Sequence, residues 1–520
     1  MFHFRNKANT GSHRLQNRDK THRMKDGAPR KNCHSDVPSP RASQTFATRR
    51  FFSWLPIILM VGLTGCYNHK FQSSHPPGVV KSAPPSHEVG IGVVEFDDMG
   101  ELHDRCDLSP QDGQPCQIMS VLEWIRAERV RVVPNQPVPQ YSVVVTFVHG
   151  WANNADPSNG DLNLFSKELE GLQEQADAQS QDVRYIGVFV GWRGSSWPGR
   201  QTYEYFPSVF NRESGARRVA SVSATEVLFR IRDAAKRDLG EKGPKGKFIL
   251  VGHSFGGLIV ERTLAQALTA LIVLGTDKTP SPRNCDADTD GSEPFADLAV
   301  LINPAIDAIE TQQLIDMLKR SRFIICRKNT PFEPPLLVSI KARNDSATGW
   351  IFTIAHFAES GNKVFRNYGD APALSSQADP SHPSQWSVYK HTAGALDFFH
   401  NYCFVETNDP GDKGCKKVNA AVNGGGNQRL AERDQYRQAF AQSPSPAPKQ
   451  IVQDLYTRFR DRCDYSYCEV WNNTPYWIFT VPKDIVDGHG GWGSPKFAQL
   501  LAEIIQQTAW DRNPKKVGFR

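Results

Sequence analysis

Ser254 lies in a pattern that can turn a serine into a nucleophile, because residues 252–256 have the sequence Gly-His-Ser-Phe-Gly. An apolar run, 247–251, leads into this pattern, and 258–271 has the composition of a helix. A Gly-x-Ser-x-Gly turn between a strand and a helix holds the Ser on a sharp bend with its hydroxyl exposed. The pattern alone arises often by chance, but between a buried strand and a helix it is much rarer. The sequence therefore predicts that Ser254 is a catalytic nucleophile.

Strands and helices alternate through residues 89–345, and this order predicts the sheet that carries Ser254. Near-continuous apolar runs such as Tyr141–Val148 are typical of strands buried on both faces of a parallel sheet. The alternation predicts an α/β fold with a doubly wound, mostly parallel sheet. The predicted strands are 91–96, 141–148, 183–190, 247–251, 298–302, 336–340 and 477–481, and the predicted helices are 118–130, 162–175, 224–239, 258–271, 312–319 and 496–507.

Several residues capable of chemistry directly follow predicted strands. Besides Ser254, these are the His-Gly-Trp segment 149–151, the Trp-Arg segment 192–193 and Asp345. In open α/β sheets, sites form beyond the carboxyl ends of the strands. We therefore expect these residues to meet at one edge of the sheet.

The chain resembles the α/β-hydrolase superfamily, and in particular its bacterial lipoprotein and esterase-like members. The resemblance covers about 89–345 and 477–508, and it rests on the turn at Ser254, the His-Gly-Trp strand end, Asp345 and the late His489. The superfamily orders its catalytic triad as Ser, then acid, then His. The resemblance therefore implies that His489 takes the proton of Ser254 and that Asp345 fixes the imidazole tautomer.

The same resemblance implies an oxyanion hole made of two backbone amides. One amide is that of Phe255, directly after the nucleophile, and the other is that of Trp151 in the loop after the early strand. Gly252, His253 and Gly256 complete the nucleophile elbow, in which glycines let neighbouring backbone pass close by. His253 is expected to line the site rather than to catalyse.

Alternatives to the base and the acid stay open at the level of sequence. His391 is a rival base, although it lies inside a long irregular segment. Asp307 and Asp487 are rival acids, because each also lies in a loop near a strand end or near His489. An acidic residue in a loop is most often only solvated, so sequence does not decide among them.

The alternation breaks down after Asp345, where residues 346–476 are rich in Pro, Ser, Gly and aromatic side chains. We interpret this segment as a cap-like insertion before His489. The chain returns to the sheet at residue 477, so 477–520 is predicted to complete the hydrolase core begun by 89–345.

The N-terminal region predicts export and lipid anchoring. An apolar run too short to span a bilayer ends in Leu-Thr-Gly-Cys at Cys66, which resembles the lipobox of bacterial lipoproteins. Residues 1–65 are therefore interpreted as a removed signal peptide and 66–88 as a lipidated Cys with a flexible tether. The pair at 49–50, Arg-Arg, also allows the twin-arginine export route.

The basic charge of the chain belongs to this leader. Residues 1–65 hold 12 Lys/Arg and 3 Asp/Glu, a net charge of +9 against +6 for the whole chain, which leaves −3 for the remainder. No nucleic-acid partner is therefore expected. Besides Cys33 in the leader and Cys66, the chain has eight cysteines, which predict disulfides in an oxidising compartment with no fixed connectivity. The suggested pairs are Cys106–Cys116, Cys285–Cys326, Cys403–Cys415 and Cys463–Cys468.

These observations predict a serine hydrolase that cleaves a carboxylic ester and is anchored to the bacterial cell envelope through Cys66. Its expected partners are a small-molecule or lipid ester and the membrane. No cofactor and no metal are expected, because no stretch resembles a nucleotide-binding loop or a metal-binding helix. The competing hypothesis is a non-catalytic envelope lipoprotein that uses a hydrolase fold for binding.

Overall fold

The structure is a computed structural model of the 520-residue chain. It describes residues 79–81, 89–103, 116–131, 139–156, 159–178, 181–194, 205–221, 223–240, 243–274, 295–320, 335–360, 363–365, 384–396, 399–400, 402–404, 459–461 and 475–508. The predicted signal peptide, Cys66 and most of the predicted insertion lie outside these residues. Cys116 is disulfide-bonded, but Cys106 lies outside the described residues, so the pairing stays a prediction.

An eight-stranded sheet organises the described residues, and the chain also forms a separate antiparallel pair of strands. The strands of the sheet are β1 Val79–Lys81, β2 Gly90–Glu95, β3 Tyr141–Val148, β4 Val183–Gly191, β5 Lys245–His253, β6 Leu298–Ile302, β7 Leu337–Ala342 and β10 Tyr476–Val481, and those of the separate pair are β8 Tyr402–Phe404 and β9 Phe459–Asp461. The order across the sheet is β1-β2-β4-β3-β5-β6-β7-β10. All neighbouring strands are parallel except β1, which pairs antiparallel with β2.

Helices connect the strands and cover both faces of the sheet. A π-helical turn, Ala347–Ile351, and a 3-10 turn, Ala393–Ala395, accompany them. The helices are α1 Gln117–Val130, α2 Gly160–Ala178, α3 Tyr205–Val219, α4 Ser223–Lys236, α5 Phe255–Leu274, α6 Ala308–Arg320, α7 Phe352–Ser360, α8 Gln385–Lys390 and α9 Pro495–Thr508.

The near-continuous apolar sequence of β3 fits its place in the sheet, because the strand is buried along its whole length. Its side chains alternate between two cores. Val144 and Val148 enter the core shared with α1, α4 and α5, whereas Val143 and Phe147 enter the core shared with α2 and α9. Within the described residues, α5 is long and apolar enough to cross a membrane, but it packs against β5 and β6 as a core helix.

The predicted fold class is confirmed as an α/β architecture, with a doubly wound, mostly parallel sheet and helices on both of its faces. The described parts of 346–476 lie between β7 and β10, consistent with an insertion there. Some described elements were not predicted. β1 lies within 66–88, which was interpreted as a tether, and the helices α3, α7 and α8 were not predicted.

Candidate active site

Ser254 occupies a strained turn between β5 and α5. Its φ of 55° lies in the left-handed region, which a non-glycine residue seldom adopts. Its backbone amide donates to the carbonyl of Ile302 at 3.0 Å, and its carbonyl accepts from Gly257 at 3.0 Å and from Ala305 at 3.1 Å. These bonds hold the turn from both sides, and the Ser254 side chain is almost wholly enclosed.

Glycines make this turn possible because other backbone segments pass where side chains would stand. A Cβ on Gly256 would lie 2.0 Å from the carbonyl oxygen of Val148 in β3, and one on Gly252 would lie 2.6 Å from the carbonyl oxygen of Gly256. A Cβ on Gly150 would lie 2.7 Å from the Cβ of Ser254. The close approach of β3, its following loop and the elbow therefore requires Gly at these positions.

A continuous chain of hydrogen bonds joins Ser254, His489 and Asp345. The Nε2 atom of His489 lies 2.8 Å from the Oγ of Ser254, and its Nδ1 lies 3.1 Å from the Oδ1 of Asp345. The three residues come from the ends of β5, β7 and β10. This is the arrangement in which an imidazole can receive a hydroxyl proton while a carboxylate holds its opposite nitrogen.

Asp345 is buried, but hydrogen bonds from its neighbours stabilise its negative charge. Its Oδ1 also accepts from the amides of Ala347 at 2.9 Å and Thr348 at 3.3 Å, and its Oδ2 accepts from the Thr348 hydroxyl. Burial raises its pKa, but the hydrogen bond and charge of His489 and the charge of Lys341 outweigh burial, so the pKa lies well below the usual range. Asp345 is therefore ionised at neutral pH.

The backbone carbonyl of His489 is held by two side chains. The Nε2 atom of His253 lies 2.8 Å from this oxygen, and the Nδ2 of Asn303 donates to it at 2.8 Å. Asn303 also donates to the carbonyl of Gly488 at 2.9 Å and accepts from the amide of Ala342 at 2.7 Å. With a φ of 45°, Asn303 is a second strained residue beside the site, and it links β6, β7 and the His489 loop.

The loop after β3 stands next to the elbow. Phe255 is the first residue of α5, where amides lack acceptors within the helix. Trp151 lies in the adjoining loop and packs against the core on one side. That loop is braced at Ala152, whose φ is 62° and whose amide donates to Gly194 at 2.9 Å. Phe255 therefore adjoins Ser254 in the chain, and Trp151 follows Gly150, whose backbone lies against Ser254.

His149 is neutral and stabilises the loop after β3 through hydrogen bonds at both of its ring nitrogens. Its Nε2 accepts from the amide of Trp192 at 2.9 Å, so its Nδ1 carries the proton and donates to the carbonyl of Gly150 at 2.9 Å. The indole of Trp192 donates in turn to the carbonyl of His149 at 2.7 Å. Burial lowers the pKa of His149 to about 4, in agreement with a neutral ring.

The rival residues make other contacts. Asp487 is exposed and accepts from the side chain of Asn344 at 2.8 Å. The Nδ1 of His391 lies 2.7 Å from the carbonyl of Ser387. Asp307 pairs with Arg217 at 3.0 Å. None of the three takes part in the hydrogen-bonded chain from Ser254.

A cavity of about 750 Å³ lies beside α3, α5 and α6. Arg217 and its carboxylate partners Glu213 and Asp307 line it, together with His356. None of the three residues hydrogen-bonded in the chain from Ser254 belongs to this lining. Among the described residues, no cluster of three or more His, Cys, Asp or Glu could hold a metal ion.

Sequence reasoning missed Asn303 and Asp161 as parts of the site. Asn303 directly follows the predicted strand 298–302, so its place at a strand end was the available signal. Asp161 stands in the first turn of α2, where an acidic residue usually serves only the helix terminus. The side chain of Asp161 instead contacts Asn153 at 2.9 Å and His253 at 3.4 Å.

The chain matches no protein-family profile and no curated protein. Among solved structures, it is similar to a poly(3-hydroxybutyrate) depolymerase from Bordetella parapertussis, at 14% identity and a TM-score of 0.24, over 73% of this chain and 83% of that chain. It is also similar to a possible leucine/isoleucine/valine-binding protein from Rhodopirellula baltica SH 1, at 10% identity and a TM-score of 0.12, over 49% of this chain and 79% of that chain. Both similarities are too low to carry an argument, so the fold class rests on the order and direction of the strands and on the helices beside them.

Proposed function

We propose that this protein is a serine hydrolase that cleaves carboxylic esters through an acyl-enzyme on Ser254. The observation that carries the proposal is the hydrogen-bonded chain from the Oγ of Ser254 through His489 to the ionised Asp345. Its position on a strained turn beyond the carboxyl end of β5 adds support, because strain of this kind concentrates at functional sites.

In the proposed reaction, the Oγ of Ser254 attacks the ester carbonyl carbon as its proton passes to the Nε2 of His489. Asp345 stabilises the imidazolium that forms and keeps Nε2 directed at Ser254. Collapse of the tetrahedral intermediate breaks the ester bond, and the imidazolium returns the proton to the departing alkoxide oxygen. Water then gives a proton to the same imidazole as it attacks the acyl carbon, the bond between that carbon and the Oγ of Ser254 breaks, and the imidazolium returns the proton to Oγ as the carboxylic acid leaves.

Two backbone amides would stabilise the oxyanion of each tetrahedral intermediate. Phe255 and Trp151 are the proposed donors, because Phe255 begins α5 directly after the nucleophile and Trp151 follows Gly150, which packs against Ser254. Such a donor commonly contributes about 3 kcal/mol of transition-state stabilisation. The neutral His149 supports this function by fixing the carbonyl of Gly150.

The proposed location is the bacterial cell envelope, with a lipid anchor on Cys66. The support is the short apolar run that ends in Leu-Thr-Gly-Cys, together with the even set of eight cysteines that follows Cys66. A protein held at a membrane can meet lipid esters as well as small soluble esters, so both are candidate substrates. Replacing Cys66 by Ala should abolish palmitate incorporation, and palmitate labelling that persists in this variant would refute the anchor.

Turnover of p-nitrophenyl acyl esters, from acetate to palmitate, tests the proposed activity. We expect hydrolysis by the purified protein that disappears in Ser254→Ala, and the preferred chain length would size the acyl site. His391→Gln is the matched control, because it changes a histidine outside the hydrogen-bonded chain. Turnover that persists unchanged in Ser254→Ala would refute the assignment. Absence of any turnover would favour the non-catalytic binding hypothesis.

A further inference from the structure

Behind Ser254 lies a buried pair of ionisable residues, Asp161 and His253, that the proposed reaction does not use directly. Asp161 is 4% exposed and His253 is 3% exposed, so solvent supports neither charge. His253 is the last residue of β5, and Asp161 lies in the first turn of α2. A buried titratable pair must be satisfied by its neighbours.

Both ring nitrogens of His253 face oxygen atoms that can only accept hydrogen bonds. The Nδ1 atom lies 3.4 Å from a carboxylate oxygen of Asp161, and the Nε2 atom lies 2.8 Å from the backbone carbonyl oxygen of His489. A neutral imidazole donates from one nitrogen only, so it would leave one of these contacts without a proton. The contacts therefore assign His253 as an imidazolium, unlike His149, whose Nε2 accepts from an amide.

The electrostatic balance agrees with this assignment. Burial lowers the pKa of His253, but the hydrogen bond and charge of Asp161 outweigh burial and raise the pKa overall. Burial raises the pKa of Asp161, but His253 outweighs it and lowers the pKa overall. Besides Asp161, the ionisable groups that act on the His253 ring are His149, His489 and Asp345.

The pair also joins the two sides of the site. The same carboxylate oxygen of Asp161 accepts from the side chain of Asn153 at 2.9 Å and lies 3.5 Å from the amide of Gly150. Asp161 thus contacts the loop that carries Trp151, while His253 contacts the loop that carries His489. Movement of either loop would disturb the other through this pair.

We propose that Asp161 and His253 are an ionised pair of positioning residues that holds the His489 loop against Ser254 and ties it to the Trp151 loop. This inference rests on the proposed serine hydrolase function. The imidazolium donates from both ring nitrogens at once, which a neutral imidazole at position 253 cannot do. Asn303 holds the same carbonyl of His489, so the two residues share this task.

Two substitutions at position 253 separate positioning from general support of the fold. The amide nitrogen of Gln extends to about the place of Nε2, so His253→Gln keeps the bond to His489 and loses the bond to Asp161. The amide nitrogen of Asn extends only to about the place of Nδ1, so His253→Asn keeps Asp161 and loses His489. His391→Gln is the control.

We expect His253→Asn to lower kcat on a p-nitrophenyl ester by about 10- to 100-fold with KM changed by less than about 3-fold. His253→Gln should lower kcat by less than His253→Asn does, because it loses only the tie to the Trp151 loop, and its thermal midpoint should fall because Asp161 loses its counter-charge. Wild-type kcat in a folded His253→Asn variant, or equal losses in both variants, would overturn the inference.

A second measurement needs no turnover and separates this inference from the proposed function. Long-range ¹H–¹⁵N spectra at pH 7.5, above the ordinary histidine pKa of about 6.5, report the protonation of each ring. We expect both nitrogens of His253 to be protonated, and a neutral ring would overturn the inference whether or not the protein is an enzyme. Conversely, an imidazolium in a protein with no Ser254-dependent turnover would leave the ion pair standing while the proposed function fails.

Discussion

Replacing Asp345 by Asn removes one negative charge from the site while preserving the shape of the side chain. The effect depends on which atom of the new amide faces His489. The Oδ1 of Asp345 accepts from two backbone amides, at Ala347 and Thr348, in addition to His489. A backbone N–H group donates and cannot accept a hydrogen bond, so the side-chain oxygen of Asn, not its nitrogen, must take the place of Oδ1.

The amide nitrogen of Asn then faces the hydroxyl of Thr348, which can rotate to accept. His489 therefore keeps the tautomer that can receive a proton from Ser254. What is lost is the attraction between a carboxylate and the imidazolium formed in the transition state. We put this loss at about 2–4 kcal/mol, or about a 30- to 1000-fold decrease in kcat/KM. A variant with the wrong tautomer would lose about 10⁴-fold.

Initial rates of p-nitrophenyl ester hydrolysis near pH 8 measure this effect. Asp487→Asn is the matched control, because Asp487 lies two residues from His489 in the chain but is exposed and bonded to Asn344. We expect the control to stay within about 3-fold of the wild type. The reasoning is refuted if Asp345→Asn also stays within 3-fold, or if both variants lose activity equally.

Three further substitutions test the surroundings of the site. Gly256→Ala places a Cβ 2.0 Å from the carbonyl oxygen of Val148, so we expect lost turnover and a lower thermal midpoint; normal values would contradict the packing described for the elbow. Burial raises the pKa of Glu261 to about 7, so its stabilising contribution is present below about pH 4.5 and is lost as pH rises through 7. Between pH 5 and pH 8, the unfolding free energy measured with urea should therefore fall by about 3 kcal/mol less in Glu261→Gln than in the wild type. The same pH dependence in both proteins would refute the raised pKa. Arg129 is buried and donates to three backbone carbonyls and one hydroxyl, so Arg129→Met should lower the unfolding free energy by about 3–5 kcal/mol, and a loss below 1 kcal/mol would contradict this.

The central strands could be predicted because burial on both faces leaves a simple apolar signature. The strand Leu298–Ile302 was predicted to the residue, and β3 likewise. By contrast, α3 contains Pro207 and Gly215 and packs against α5, so its stability comes from tertiary contacts rather than from a local pattern. The edge strand β1 is only three residues long and lies in a Pro- and Ser-rich stretch, so it too has no local pattern from which it could be predicted.

The turn at Ser254 could be predicted because it is a local pattern, whereas the residues that surround it come from distant parts of the chain. The sequence favours Asp345 as the acid because it follows a predicted strand, but Asp307 and Asp487 stay rivals until the folded chain shows which one contacts His489. Asn303 and Asp161 act through neighbours more than 90 residues away in the chain, so no local signal could indicate their partners. The catalytic roles of Ser254, His489 and Asp345 and the positioning role of Asp161 stay predictions.

The most direct test of the central claim is fluorophosphonate labelling followed by peptide mass spectrometry. A fluorophosphonate reacts with a serine whose hydroxyl proton can be taken by a neighbouring base, so it reports the Ser254–His489 pair without a known substrate. We predict one adduct, on Ser254, that is absent in Ser254→Ala and forms far more slowly in His489→Ala. An adduct on another serine, or labelling of Ser254 at an unchanged rate in His489→Ala, would contradict the account.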